Sequence, residues 1–207
     1  MHELVRKFEK QLGSVSDAYQ DSIRILKQYG ASHTVDHSIS VAKESVTLAL
    51  RYGIDADKAH LAGILHDIST IFPNESRIAI SQYFGIDILP EERLIPMLLH
   101  QKLSRELAQT YFSVLDEEIL DSIACHTTLR GQATGLDMVL FLADKIDWDQ
   151  EGEPPYLNEI TIGLSTSLET GTFNFIQYLL NNTHLLKVIH PWLLDAYHHL
   201  KTVESHF

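Results

Sequence analysis

Cysteine is almost missing: Cys125 is the only one among 207 residues. No intrachain disulfide can form, which agrees with a reducing compartment and makes the cytoplasm the expected location. Beside His126 in an apolar stretch, Cys125 itself reads as a small buried hydrophobe rather than a nucleophile. Basic residues are also scarce, 16 Lys and Arg against 28 Asp and Glu, for a formal charge of -12. Duplex nucleic acid, which needs a basic surface to displace counterions, is not an expected partner. No run of about 18 apolar residues occurs, and the N-terminal stretch has no apolar core of the signal-peptide kind, so neither a membrane nor secretion is expected. Repeats and low-complexity tracts are absent too.

What remains is an ordinary globular composition, 44% hydrophobic and 21% charged, enough to bury a core in one domain or in one domain with a helical extension. Apolar spacing is helical nearly throughout, so the fold class is all-α. One helix is expected over residues 16–29, closed by Gly30, and a second over 34–52, ended by Gly53. Asp55 and Asp57 start a third, Asn74 fits the N-cap of a short helix before Gly85, and Pro96 suits a first helical turn ahead of His100. Asp116, Glu117 and Glu118 form an acidic start that favours the helix dipole. Pro154 and Pro155 interrupt the pattern, because consecutive prolines cannot continue a helix. This divides the chain into residues 1–150 and C-terminal helices over 151–207 that pack on the same domain. The aromatic residues of that second part are assigned to core or to an oligomer interface, which leaves a homodimer open.

His66-Asp67 ends the apolar segment Ala59-His-Leu-Ala-Gly-Ile-Leu-His-Asp. Polar groups in such surroundings need partners, and a metal ion is one. Further metal-capable residues, His37, His100, His126 and Asp144, lie around the pair at intervals of about one helix hairpin. Asp144 directly follows the apolar run Val139-Leu-Phe-Leu-Ala, where an unpaired charge would be costly. Four imidazoles and two carboxylates suit two first-row divalent ions. His33, four residues before His37, is either its outer partner or an exposed residue at the helix start.

The segments His33-Thr-Val-Asp-His37-Ser-Ile-Ser, Leu61-Ala-Gly-Ile-Leu-His-Asp-Ile, Leu99-His-Gln-Lys-Leu-Ser, Asp116 to Thr128 and Phe141-Leu-Ala-Asp-Lys-Ile-Asp147 resemble, in that order, the HD-domain metal-dependent phosphohydrolases. They are most similar to the YqeK group, symmetrical dinucleoside tetraphosphate hydrolases. The resemblance runs from about Ser32 to Asp147. It implies an HD-type helical bundle, a dinuclear centre usually built with iron, and cleavage of diadenosine tetraphosphate to two ADP. The chain departs from the group at three positions on the substrate side: Thr34 and Gln150 stand where Arg is usual, and Thr70 where Lys is frequent.

Two ions would bring +4 against -2 from their carboxylates, so a polyphosphate is attracted locally despite the net charge. On this reading His37, His66 and Asp144 hold one ion, His100 and His126 the other, and Asp67 bridges them, activating a hydroxide for in-line attack. Iron is the expected metal, with Mn, Co or Zn as alternatives. Asp67 and Lys145 are the expected catalytic residues. Lys102, Arg105, Arg130, Thr34 and Thr70 are the expected contacts to substrate, and Trp148, Pro154, Pro155 and Tyr156 form one wall of its cleft. Alternatives are hydrolysis of another phosphate ester, a di-iron oxygenase, and a non-catalytic metal or nucleotide sensor.

Overall fold

A computed structural model describes residues 2–148 and 152–204; its regular elements are helices and short 3-10 turns, with no strand among the described residues. In chain order they are α1 (Glu3–Leu12), α2 (Ala18–Gln28), α3 (Ser32–Tyr52), α4 (Ala56–Leu65), α5 (Arg77–Tyr83), α6 (Pro90–Leu94), α7 (His100–Phe112), α8 (Glu117–Cys125), α9 (Gly135–Ile146), α10 (Leu157–Leu164), α11 (Leu168–Asn181) and α12 (Pro191–Glu204). The all-α expectation holds. No described helix is long and apolar enough to cross a membrane.

Short polar side chains set the helix starts. The carboxylate of Asp17 accepts from the Gln20 N–H, that of Asp55 from Asp57 and Lys58, and that of Asp116 from Glu118. Each satisfies a donor that the first turn leaves without an intrahelical acceptor. Gly30 and Gly53, at φ of 75° and 70°, turn the chain out of α2 and α3 through a conformation that costs other residues more. Asn74 departs from expectation. It opens a 3-10 turn, Asn74–Ser76, and α5 starts at Arg77 without a side-chain cap. The extended Pro73 feeds that turn, and its carbonyl accepts from the Ser76 N–H at 2.9 Å, doing what a cap would have done. Three further features escape the sequence reading: α1, which buries Val5, Phe8 and Leu12, the short α6, and the capping box in which Thr134 and Asp137 exchange hydrogen bonds at the start of α9.

The fold is organised around α9. Every residue from Leu136 to Ala143 is buried, as befits a helix that is apolar nearly all round. It packs against α3, α4, α8 and α11. Phe141 meets Phe175 of α11 at 5.4 Å between ring centroids, and Phe175 meets Tyr156 at 4.7 Å, which ties the C-terminal helices to this centre. Helices α3 and α4 approach closely because Gly63 has no side chain: a Cβ there would lie 2.6 Å from the Ala42 Cα.

The link between α1 and α2 is clamped by ionic groups. Asp21 accepts from the Ser16 and Asp17 N–H groups and pairs with Arg24, which also donates to the Gln11 and Leu12 carbonyls. Those backbone donors, together with Arg24, lower the Asp21 pKa from 3.8 to about 2. Its contribution to stability is therefore complete above the ordinary carboxylate range and vanishes as pH falls through about 2. Asp21→Asn is expected to be less stable than the parent at pH 7, with the difference shrinking on acidification from about pH 4 to 2 in urea titrations. Gly63→Ala should cost about 1–3 kcal/mol at neutral pH, the usual range for overpacking, measured by the same unfolding midpoints.

Candidate metal centre

Asp67, just past the end of α4, stands where four helices deliver imidazoles. His37 comes from α3, His66 follows the last residue of α4, His100 opens α7 and His126 follows the last residue of α8. Asp144 comes from the last turns of α9. His66, His100 and His126 are buried, and His37, Asp67 and Asp144 are partly buried on the cleft side. The six candidates therefore meet, although His37 and Asp144 are 107 residues apart.

Three of the four rings are fixed in the same way. Nδ1 of His66 lies 2.7 Å from the Gly63 carbonyl, that of His100 2.6 Å from Met97, and that of His126 2.8 Å from Ile123. An Nδ1–H donated to a carbonyl leaves Nε2 as the unprotonated ring nitrogen; all three Nε2 atoms point inward, and those of His100 and His126 lie 3.0 Å apart. The three lie 3.8, 3.4 and 3.8 Å from carboxylate oxygens of Asp67. His37 differs. Its Nε2 is 3.0 Å from Asp144 Oδ1, and its Nδ1 is 2.9 Å from Asp147 Oδ2, a carboxylate that also accepts from the Ser40 hydroxyl.

Two sets of possible ligand atoms occur, the atoms within each set lying within 4.8 Å of one another: His37, His66 and Asp67, and Asp67, His100 and His126. Asp67 belongs to both. Asp144 Oδ1 adjoins the first set, 3.6 Å from His66 Nε2. Buried polar atoms without a hydrogen-bond partner include His66 Nε2 and Asp67 Oδ1. A desolvated lone pair and a desolvated carboxylate oxygen facing each other's ligand sets are what divalent ions would satisfy, so the residues present fit a dinuclear metal site.

Mutual electrostatics reinforce this. Burial opposes charge on His37, but Asp144, Asp67 and Asp147 outweigh it and lift its pKa from 6.5 to about 9. Burial would raise Asp67 and Asp144; the imidazoles hold Asp67 below the usual range, and Lys145, His37 and His66 hold Asp144 well below it. Burial holds His100 low and His126 well below the ordinary imidazole value.

The cluster floors a cleft of about 350 Å³ lined also by Met97, Thr127, Lys145, Asp147, Trp148 and Tyr156. Lys145 faces it and donates to Asp144 Oδ2. Trp148 and Tyr156 form part of the expected wall, edge to face at 5.8 Å, whereas Pro154 and Pro155 line a separate groove. His33 is exposed beside a smaller cavity, and Asp147 takes the place on His37 Nδ1 that His33 was one candidate for.

The other expected cations do not line this cleft. Lys102 is two residues along α7 from His100, about 200° around the helix; it pairs with the buried Glu92 at 2.8 Å and lies 4.8 Å from the Trp192 ring centre. Arg105 pairs with Glu117, and Arg130 with Asp121 and the buried Asp137. Thr70 donates its hydroxyl to the Asp67 carbonyl, Thr34 is half-buried in the first turn of α3, and neither lines the cleft. Gln150 lies outside the described residues. A larger cavity of about 590 Å³, bounded by Arg130 and Trp192, contains none of the six donors.

Several supporting residues went unread in the sequence. Gln101, fully buried, accepts from the Thr127 and Thr128 N–H groups and so fixes the loop after His126 against α7. Thr127 places its hydroxyl 3.0 Å from His100 Nε2. Among these the only sequence signal was position next to a candidate ligand.

Because a metal ion must displace the proton that His37 carries below about pH 9, metal affinity is expected to rise with pH toward 9 and level off above it. Titration calorimetry with Mn²⁺ in buffers of different ionisation enthalpy reads both the affinity and the protons released; absence of proton release on metal binding between pH 6 and 8 would contradict the assignment of His37.

An HD domain family model matches residues 34–149, more than half of the chain. An uncharacterised protein from Lactococcus lactis subsp. cremoris is 43% identical over 69% of this chain and 72% of its own length. A protein of Bacillus subtilis (strain 168) named bis(5'-nucleosyl)-tetraphosphatase, symmetrical, is 32% identical over 62% of this chain and 68% of its own. A crystal structure described as a predicted HD superfamily hydrolase involved in NAD metabolism, from Clostridium acetobutylicum, superposes with a TM-score of 0.78 at 26% identity, covering 92% of this chain and all of that one. With the donors, their order along the chain and the helical bundle in agreement, the chain belongs to the HD-domain family of metal-dependent phosphohydrolases.

Proposed function

We propose that the chain hydrolyses dinucleoside tetraphosphates symmetrically, water adding at one of the two central phosphorus atoms while the bridging P–O bond breaks to leave two nucleoside diphosphates. The observation that carries this is Asp67, shared between two sets of imidazoles at the floor of an open cleft. His37, His66 and Asp144 would hold one divalent ion and His100 and His126 the other, with Asp67 common to both sets. Ions bound there supply Lewis-acid polarisation of the phosphoryl group and a nucleophile from water at neutral pH. Iron is the proposed occupant, since a mixed imidazole and carboxylate set accommodates it.

The remaining work falls to this chain's own side chains. Among the described residues Lys145 is the lysine or arginine that lines the cleft, and its ammonium group reaches phosphate oxygens while remaining beside Asp144. Trp148 and Tyr156 give the cleft an apolar side suited to a nucleobase. We also read the C-terminal helices as part of the same domain, since Phe175 supports both Tyr156 and Phe141. One observation favours a second reading. With Lys102, Arg105 and Arg130 engaged elsewhere, the cleft offers a long polyphosphate little positive charge, and a smaller phosphate ester would need less.

Incubation of diadenosine tetraphosphate with anaerobic, Fe²⁺- or Mn²⁺-loaded protein, followed by ion-exchange chromatography, is expected to yield ADP as the only nucleotide product. Intact substrate in a sample of verified metal content would transfer the proposal to the smaller ester. Asp67→Ala should lose both metal and turnover. Lys145→Ala should retain metal and lower kcat/KM by roughly 10- to 100-fold, mostly through KM, as expected for one charge-assisted hydrogen bond.

A further inference from the structure

Three imidazoles of the centre are held by backbone carbonyls three residues earlier in their own segments. Such a bond forms whenever the local turn forms. His37 lies inside α3, where carbonyls are taken by the helix itself, and its Nδ1 is instead met by the carboxylate of Asp147, 110 residues away and directly after α9. Asp147 is fixed in turn by the Ser40 hydroxyl, which is three residues after His37 and therefore on the same face of α3. One carboxylate thus receives both side chains, Oδ2 taking the ring and Oδ1 the hydroxyl.

We propose that Asp147, held by Ser40, is the positioning residue of His37 and thereby controls occupancy of one metal position selectively. This rests on the dinuclear reading above and adds that the two positions are built differently. The position formed by His100, His126 and Asp67 has its rings locked by local backbone. The position formed by His37, His66 and Asp144 depends on a side-chain contact between α3 and the residue following α9. Without Asp147 the His37 ring loses the acceptor that fixes its tautomer and its rotation about χ2, so Nε2 is no longer held toward Asp144. The other three rings keep their partners. Loss of an outer hydrogen-bonding partner of a metal-bound imidazole typically weakens binding by about 10- to 100-fold, and here the loss falls on one ion of two.

The test is Mn²⁺ binding to the full-length, metal-stripped chain, followed by calorimetry for stoichiometry and by electron paramagnetic resonance to distinguish a coupled pair from an isolated ion. The parent is expected to take up two ions and show the coupled signal. Asp147→Ala should bind one ion with parental affinity and the second about 10- to 100-fold more weakly, with an isolated-ion spectrum at low occupancy. Ser40→Ala should move in the same direction by less, and Asp147→Asn, which keeps an acceptor for the Nδ1–H, should recover most of the second ion. Circular dichroism of the metal-free variants identifies any that fail to fold, in which case Ser40→Ala and Asp147→Asn decide. Two parental affinities in Asp147→Ala, or equal weakening of both ions, would overturn the role of Asp147. If the parent itself binds no Mn²⁺, the metal reading falls first and this inference with it.

Discussion

Everything in this fold answers to the cost of gathering two carboxylates and four imidazoles away from bulk water. Each group alone would be expelled from such a place or would change protonation state. Together they compensate: carboxylates draw His37 toward its charged form, imidazoles keep Asp67 ionised, and burial keeps His126 neutral. The members of the cluster are therefore interdependent, each charge offset by its neighbours within the cluster. Such an arrangement requires backbones that approach without gaps, which is why Gly63 meets Ala42 where α3 and α4 cross. It also requires a rigid centre, which α9 supplies.

The position of α9 explains how apolar packing and chemistry share one element. Eight successive buried residues fix its depth and rotation, and the helix then delivers Asp144, Lys145 and, just beyond its end, Asp147 to the cleft. The aromatic contacts of Phe141, Phe175 and Tyr156 brace the same helix from the opposite chain end. A phosphohydrolase site is in this sense the polar terminus of the hydrophobic core.

Much of this was legible in the sequence because it is local. Asp55 and Asp116 announce helix starts by their own chemistry, Gly30 and Gly53 announce ends, and a carboxylate such as Asp144 after five apolar residues announces a buried partner. The order of histidines and aspartates, with the words around them, carried the family. What escaped was nonlocal. Nothing near Asp147 in sequence points to His37, and nothing near Gln101 points to the backbone of Thr127. Proximity along the chain was also misleading for the cations: Lys102 and Arg105 neighbour a candidate ligand, yet helical rotation directs them elsewhere, to Glu92 and Glu117. Helix α1 was missed because its short stripe of Val5, Phe8 and Leu12 precedes any strong start signal.

The carbonyls that hold His66 and His126 belong to Gly63 and Ile123, in the last turns of α4 and α8, where carbonyls have no intrahelical donor to receive. The imidazoles thus terminate their helices with one nitrogen and face the centre with the other. Replacing such a histidine by cysteine or aspartate would supply a metal donor yet abandon the helix end, so the ligand set resists stepwise exchange even where another donor would serve the ion equally well.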